Sequence, residues 1–438
     1  MKRYLSFFVM MAFSLSVEAV EYTDSPLREG TSSGQELSLQ NAIMLAFEND
    51  PSIARTAAEI SISDAQIDEA KSAWRPQVSL QGGMGGSASD GDDFAQSDNY
   101  GLALRQLLYD FGRTSNNVDQ YTAMQEGKRY ELQSALNDVG GRTARVYVEI
   151  KRFEALKRVV NDGIASLTEV RNIAAMRAEG GLGTHSDLLQ TESRIAALRS
   201  QQAQYDAQLA SARAELGVLT GTRINGVGDV PAVLTEVEAN LDAINYEQIP
   251  QVLQAEASAE VARLAIEGER KGYMPSFSLE GGRTHYDSDD DSYWDNSIQV
   301  TVDAPLYQGG SVGARVRQAE GNVAASQADI NKVKQDILLK AAQAESSMSG
   351  ASGRLVAAEQ QLQSARRSRE VYRDEYLLGQ RSVNDLLSNE QEVYQARVAQ
   401  QSALYDQWQS AVVYRTSVHQ LLPTLGLDRP ETKLSETW

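Results

Sequence analysis

Trp74-Arg75-Pro76-Gln77-Val78-Ser79-Leu80-Gln81-Gly82-Gly83 is answered by Tyr273-Met274-Pro275-Ser276-Phe277-Ser278-Leu279-Glu280-Gly281-Gly282, the same pattern 199 residues later. The spacing extends to the flanking prolines, with Pro51 and Pro231 matched by Pro250 and Pro430. Leu108-Tyr109-Asp110-Phe111-Gly112 corresponds to Leu306-Tyr307-Gln308-Gly309-Gly310. Gly181 with Asp187-Leu188-Leu189 corresponds to Gly379 with Asp385-Leu386-Leu387, now at a spacing of 198. A repeat this long is one duplication and not a short-period solenoid. It predicts two equivalent halves in one body, the first over about 37–235 and the second over about 236–430.

The quoted stretch opens a segment with a period of two. Val78, Leu80 and Met84, then Tyr100, Leu102 and Leu104, then Phe277 and Leu279, then Ile298, Val300 and Val302 alternate with polar or small residues. That alternation gives strands with one apolar and one polar face. Four strands are expected, over about 76–86, 99–109, 275–286 and 293–305, with Arg105, Glu280 and Asp303 on the polar face. Trp74, Tyr100, Tyr109, Tyr273, Tyr286, Tyr293, Trp294 and Tyr307 bracket them. Two arrangements suit this pattern: a soluble sheet whose aromatics cap its core, and a transmembrane barrel with aromatic girdles. Strand length and the export signal described below favour the barrel, with Arg105, Glu280 and Asp303 toward its lumen. Four strands cannot close a barrel, and an open edge in lipid leaves backbone groups unsatisfied at several kcal/mol each. The barrel reading therefore requires an oligomer.

Between the strand pairs lie long proline-free tracts, 77–230 and 306–422, rich in Ala, Gln, Glu, Arg and Leu. Helices are expected from Arg113 to about Ala178 and from Ser311 to about Leu378, although Gly127, Gly140, Gly141 and Gly163 weaken the first. At 1.5 Å per residue each would be roughly 100 Å long. Leu355, Ala358, Leu362, Ala365, Tyr372 and Tyr376 follow an a/d heptad spacing broken only by Arg369. A thin, alanine-rich stripe of this kind suits closely packed antiparallel helices. The fold class is thus mixed and mostly α: a long coiled-coil body with four strands per chain.

Lys2-Arg3, an apolar stretch from Tyr4 to Val17 and Val17-Glu18-Ala19 form an export signal, residues 1–19, with cleavage expected after Ala19. With no cysteine, neither a disulfide framework nor a lipid-bearing cysteine is available. The formal charge of −19 opposes nucleic-acid binding through phosphate neutralisation. Acidic loops carry Asp90, Asp92 and Asp93, and Asp287, Asp289, Asp290 and Asp291, without the glycine and terminal glutamate of a calcium loop. His185, His285 and His419 are scattered, and Gly82-Gly83-Met84-Gly85-Gly86 lacks the Lys-Ser/Thr of a phosphate loop. No enzyme activity, metal or cofactor is expected.

Leu306-Tyr307-Gln308-Gly309-Gly310-Ser311-Val312 with Val316-Arg317-Gln318-Ala319 resembles the strand-to-helix junction of the TolC family of outer-membrane channel-tunnels. Tyr376-Leu377-Leu378-Gly379-Gln380-Arg381-Ser382-Val383-Asn384-Asp385-Leu386-Leu387 resembles that family's periplasmic helix-turn-helix tip. The resemblance runs from about Leu37 to Leu427 and includes the duplication. It implies a homotrimer with a twelve-stranded barrel in outer-membrane lipid and a periplasmic α-barrel. It also implies a periplasmic adaptor and an inner-membrane transporter, ABC-type or proton-driven, as partners. Carried over residue by residue, the tip lock is Tyr376 and Arg381 bonding to Asp187, with Ser186 beside it. Asp385 matches the first constriction aspartate, whereas Ser388 stands where the family has the second. The implied function is an exit duct for protein secretion, small-molecule efflux or both, and the missing lipid anchor favours secretion. An exported coiled-coil structural or adhesin protein is the alternative.

Overall fold

The computed structural model describes residues 36–87, 95–288 and 292–427. The expected export signal, the end of the second repeat at Pro430, and Asp90, Asp92, Asp93, Asp289, Asp290 and Asp291 lie outside the described residues.

Apart from the first helix, which has no long counterpart in the second half, the two halves use the same elements in the same order. The first contains α1 (Leu39–Asn49), α2 (Pro51–Ser72), β1 (Gln77–Ser87), β2 (Ala95–Tyr109), α3 (Arg113–Glu179), α4 (His185–Thr220) and the single turn α5 (Ala232–Thr235). The second contains α6 (Pro250–Arg270), β3 (Ser276–Ser288), β4 (Ser292–Asp303), α7 (Ser311–Leu377), α8 (Val383–Ser417) and the single turn α9 (Leu421–Thr424). Both long helices, α3 and α7, have 67 residues. Pro51 and Pro250 each occupy the first turn of a helix, where the missing N–H costs nothing. Gly112 and Gly310, at φ +78° and +81°, turn the chain from strand or loop into each long helix.

Helices pack side by side in the order α4, α3, α8, α7, with α2 and α6 replacing α4 and α8 nearer the sheet. Along α7 the buried positions are Val312, Ala319, Ile330, Ile337, Ala341, Ala344, Met348, Ala351, Ala358, Leu362, Ala365 and Tyr376. Their spacings of three, four, seven and eleven continue one heptad stripe along most of the helix. α3 is buried more broadly, because α4 and α8 flank it while α1 and α9 cover a third side.

That covered side holds the largest core, built around Tyr147, Phe47, Ile43, Leu136 and Leu216. The Tyr147 hydroxyl lies 2.9 Å from both Leu37 O and Gly228 O, pinning the Leu37–Val227 bridge to the helices. The Gly140-Gly141 pair, read from sequence as a helix weakness, makes this packing possible. A Cβ on Gly140 would come within 2.8 Å of Leu422 Cδ2, and one on Gly141 within 2.7 Å of Thr416. The cost in helix propensity is offset by the close approach of α8 and α9.

Candidate duct wall and tip constriction

The strands form one antiparallel sheet in chain order, β1-β2-β3-β4. Its register places Gln77, Arg105, Glu280 and Gln299 in a single row. On this face Arg105 Nε lies 3.5 Å from Glu280 Oε1. Glu280 Oε2 accepts hydrogen bonds from Gln299 Nε2 at 3.2 Å and Thr301 Oγ1 at 3.1 Å. Asp303, paired with Ser276, shares the face. The structure thus brings Arg105 and Glu280 together and places Asp303 on the same wall.

The opposite face is apolar and uncovered: Leu80 is 77%, Met84 83% and Ile298 80% exposed. An exposed aliphatic band of this kind needs a partner or a membrane. Its outline gives the strand tilt. Ile298, near the end of the aliphatic run on β4, is joined through Gly281 and Leu104 to Val78, at the start of the run on β1. From Val300 on β4 to Leu80 on β1 the band climbs about 14 Å along the strands across three strand spacings, also about 14 Å. A band of constant height therefore requires strands tilted by about 45°, as in membrane barrels.

Among the described residues, both lateral edges of the chain are free. One carries β1, α2 and α4, and the other carries β4 and α7. Because the two edges differ, a contact between copies through them is head to tail, the kind that can close into a ring.

At the far end from the sheet, the two helical hairpins turn through matching motifs. Leu182 N bonds Arg177 O at 2.8 Å and Gly181 N bonds Ala178 O at 3.1 Å; Gln380 N bonds Glu375 O at 2.8 Å and Gly379 N bonds Tyr376 O at 3.1 Å. These are two Schellman turns, with Gly181 and Gly379 at positive φ. Each is followed by a capping box, Thr184 with Asp187 and Ser382 with Asp385. Asp187 and Asp385 thus have the same structural duty, satisfying helix N-terminal N–H groups. Hydrogen bonds from the Ser382 side chain and backbone, then the nearby Arg381 charge, hold the Asp385 carboxyl below the usual carboxylate range.

Side chains distinguish the tips. Arg381 does not reach Asp187 within the chain; its Nε donates to Glu375 Oε2 at 2.8 Å, and its guanidinium lies 4.5 Å from the centre of the Tyr372 ring. Glu375 is on the same hairpin and nearer, so it takes the bond that the resemblance assigned to Asp187. Tyr376 is buried with its hydroxyl unpaired, while burial and then the Asp187 charge raise its pKa. Ser186 is exposed.

The link between tips is Arg177, which the sequence reading passed over. Arg177 Nη1 donates to Tyr376 O at 2.8 Å and Leu377 O at 3.0 Å, Nη2 donates to Leu182 O at 3.1 Å, and the guanidinium stacks 4.9 Å from the Tyr376 ring centre. Other polar ties continue up the seam between α3 and the α7/α8 hairpin. Glu169 pairs with Arg373, Ser166 Oγ donates to Glu390 Oε2 at 2.8 Å, Asp162 pairs with Arg397 at 2.7 Å, and Asp406 bridges Arg152 and Arg354 at 3.0 and 3.1 Å. Beneath these polar ties an apolar cluster also spans the seam, with Leu167, Val170 and Ile173 of α3 packed in one core with Tyr376, Val383, Leu386 and Leu387 of the other hairpin. The last of these ties borders a cavity of about 730 Å³ on the side of α3 opposite α1 and α9, which Arg142, Arg145 and Glu149 also line.

The family model for outer membrane efflux proteins matches residues 42–222 and 246–414, one segment in each repeat. The chain belongs to the outer membrane efflux protein family. The outer membrane protein TolC of Vibrio cholerae serotype O1 is 25% identical over 399 residues, covering 87% of this chain and 89% of that protein. The alkaline protease secretion protein AprF of Pseudomonas aeruginosa is 26% identical over 404 residues, covering 84% and 82%. The solved CusC transmembrane channel superposes with a TM-score of 0.77 at 18% identity, over 89% of this chain and 95% of CusC. As a member of this efflux protein family, the chain is an outer-membrane exit duct with a periplasmic helical portion.

Proposed function

We propose that three copies close head to tail into a twelve-stranded barrel continuous with a twelve-helix tube. In this reading the duct receives cargo from an inner-membrane transporter and its periplasmic adaptor. The observation that carries it is the coincidence of free edges: β1 lies on the side of α2 and α4, and β4 on the side of α7, so one head-to-tail contact closes sheet and slab together. Barrel strands have no unpaired edge in lipid only when closed. Protein secretion is favoured over small-molecule efflux alone by the similarity to AprF across most of both chains. Transport, not catalysis, is the activity.

The gate reading is a closed tip in which Tyr376, Arg381, Asp187 and Ser186 hold neighbouring hairpins. In a ring the α7–α8 tip of one copy comes beside the α3–α4 tip of the next, where Arg381 can meet Asp187 between copies. Within a copy, Arg177 supplies the tie. Asp385 and Asp187 sit at equivalent positions, so the constriction would carry two carboxylates per copy and favour cations.

Purified full-length protein that runs as a heat-modifiable trimer and gives narrow, cation-selective channels in planar bilayers is the expected result. An elongated, water-soluble monomer refutes the reading.

A further inference from the structure

The outward, apolar face of the sheet carries one cation at a definite height. Arg283 on β3 pairs with Leu102 and Asn296, which places it on the same face as Leu80, Leu102 and Val300. Its guanidinium lies 4.4 Å from the centre of the Trp294 ring. Trp294 packs edge-on against His285 at 4.8 Å, and His285 stacks on Tyr100 at 5.0 Å with an interplanar angle of 4°. Among the described residues, no carboxylate is within ion-pair distance of Arg283.

The height follows from the tilt. Trp294 is six residues from Val300, the middle of the aliphatic run on β4. That is about 20 Å along the strand and, at about 45°, about 14 Å along the membrane normal. The apolar band of an outer-membrane barrel is about 25 Å tall, so Trp294 lies at its outer boundary. Arg283 starts deeper and extends its side chain outward to reach Trp294, the behaviour of a cation drawn toward the headgroup layer. Stacking fixes the plane of the guanidinium and leaves its N–H edge open, the geometry that grips a phosphate through two hydrogen bonds. Asp98 and Asp287, which face each other one row farther out, close the site on its solvent side to a free anion.

We propose that Arg283 on its Trp294–His285–Tyr100 platform binds the phosphate of an anionic lipid headgroup in the outer leaflet. The inference rests on the sheet being a lipid-facing barrel wall. Tyr100 and Trp294 pack around the lipid's glycerol or sugar region, and Arg283 holds its phosphate.

Native mass spectrometry of the full-length trimer in mild detergent tests this with phosphatidylglycerol, the bis-phosphorylated glycolipid lipid A, phosphatidylcholine and inorganic phosphate as separate probes. Wild type is expected to retain the two anionic lipids over phosphatidylcholine, and Arg283→Gln to lower that retention about tenfold, as for one lost charge-assisted contact. Free phosphate is expected to leave lipid retention unchanged. Equal retention of anionic and zwitterionic lipid by the wild type, undiminished retention in Arg283→Gln, or displacement by free phosphate overturns the site. The wild-type comparison stands even if the variant fails to assemble. Retention of no lipid at all would instead overturn the barrel reading on which the site rests.

Discussion

Removing Arg177 should loosen the closed tip without unfolding the body. Arg177→Ala deletes two hydrogen bonds to the opposite hairpin, to Tyr376 O and Leu377 O, and the stacking on Tyr376. At about 1 kcal/mol net for each bond and about 0.5 to 1 kcal/mol for a partly exposed cation–π contact, the loss is about 2 to 3 kcal/mol per copy. That lowers the ratio of closed to open tips by roughly 30- to 150-fold per copy. Single-channel recording should show larger conductance and longer openings for Arg177→Ala, with Arg177→Lys between it and the wild type because one ammonium cannot serve both carbonyls and the ring. Tyr376→Phe separates the two kinds of tie: the hydroxyl has no partner within a copy, so a rise in conductance on its removal would place its bond between neighbouring copies. The melting temperature should hold, because the main core around Tyr147 belongs to a separate cluster from the tip. Wild-type conductance in Arg177→Ala would mean that the tips move as one piece and that Arg177 is not part of the gate.

Glu390 is a carboxyl buried in the seam beside Ser166, with Arg369, Arg373 and Glu169 around it, and burial raises its pKa. A raised carboxyl favours the folded seam below its unfolded pKa of about 4.3 and loses that advantage as pH rises through the folded value. Glu390→Gln should therefore raise the melting temperature near neutrality and not in acid, as followed by circular dichroism. On the sheet, Val300→Arg should cost about 2 to 4 kcal/mol in the middle of the lipid face. Gln299→Arg, one residue away and on the polar face beside Glu280, should be tolerated; the yield of heat-modifiable trimer reads both. Asp385→Asn should lower cation selectivity in reversal-potential measurements while leaving a polar group for the cap. Unchanged selectivity would remove Asp385 from the constriction.

The sheet and the long helices were legible because each rests on a repeated local signal. Leu80 and Val300 announce their face through alternation, and α3 and α7 announce their length through the absence of proline. The tip was legible only in outline. Thr184-His185-Ser186-Asp187 and Ser382-Val383-Asn384-Asp385 both carry the pattern of a capping box, so the structural duty of the two aspartates could have been read directly. What the chain could not announce was partner choice. Arg381 has Glu375 and Asp187 as competing acids, and only the course of the Schellman turn makes Glu375 the nearer. Arg177 acts on backbone carbonyls, which leave no trace in the residue pattern. Its one signal is a charge reversal between repeats, Arg177 against Glu375 at a spacing of 198.

That reversal matters because the backbones of the two tips are alike. Same turn, same capping box and nearly the same helix lengths would give a tube with sixfold equivalent seams, each free to be as tight or as loose as the next. Three substitutions between the repeats break the equivalence: Arg177 for Glu375, Ala178 for Tyr376 and Gly183 for Arg381. One hairpin projects its cation across the seam, while the other folds its cation back onto itself. The seam within a copy is consequently tied at Arg177, Glu169–Arg373 and Ser166–Glu390. Just above these ties α3 crosses its neighbours at Gly163, where a Cβ would lie 3.1 Å from Leu198 and 3.3 Å from Tyr394. Higher still, Asp162–Arg397 and Arg152–Asp406–Arg354 join the same elements on the way to the Tyr147 core. A hairpin swinging outward about the Gly163 crossing breaks the lower polar ties and parts the apolar contacts of Leu167, Val170 and Ile173 with Tyr376, Val383, Leu386 and Leu387, while the upper ties stay intact. Opening confined to the part of the tube below Gly163 leaves the larger Tyr147 core untouched, which parting the whole seam would not.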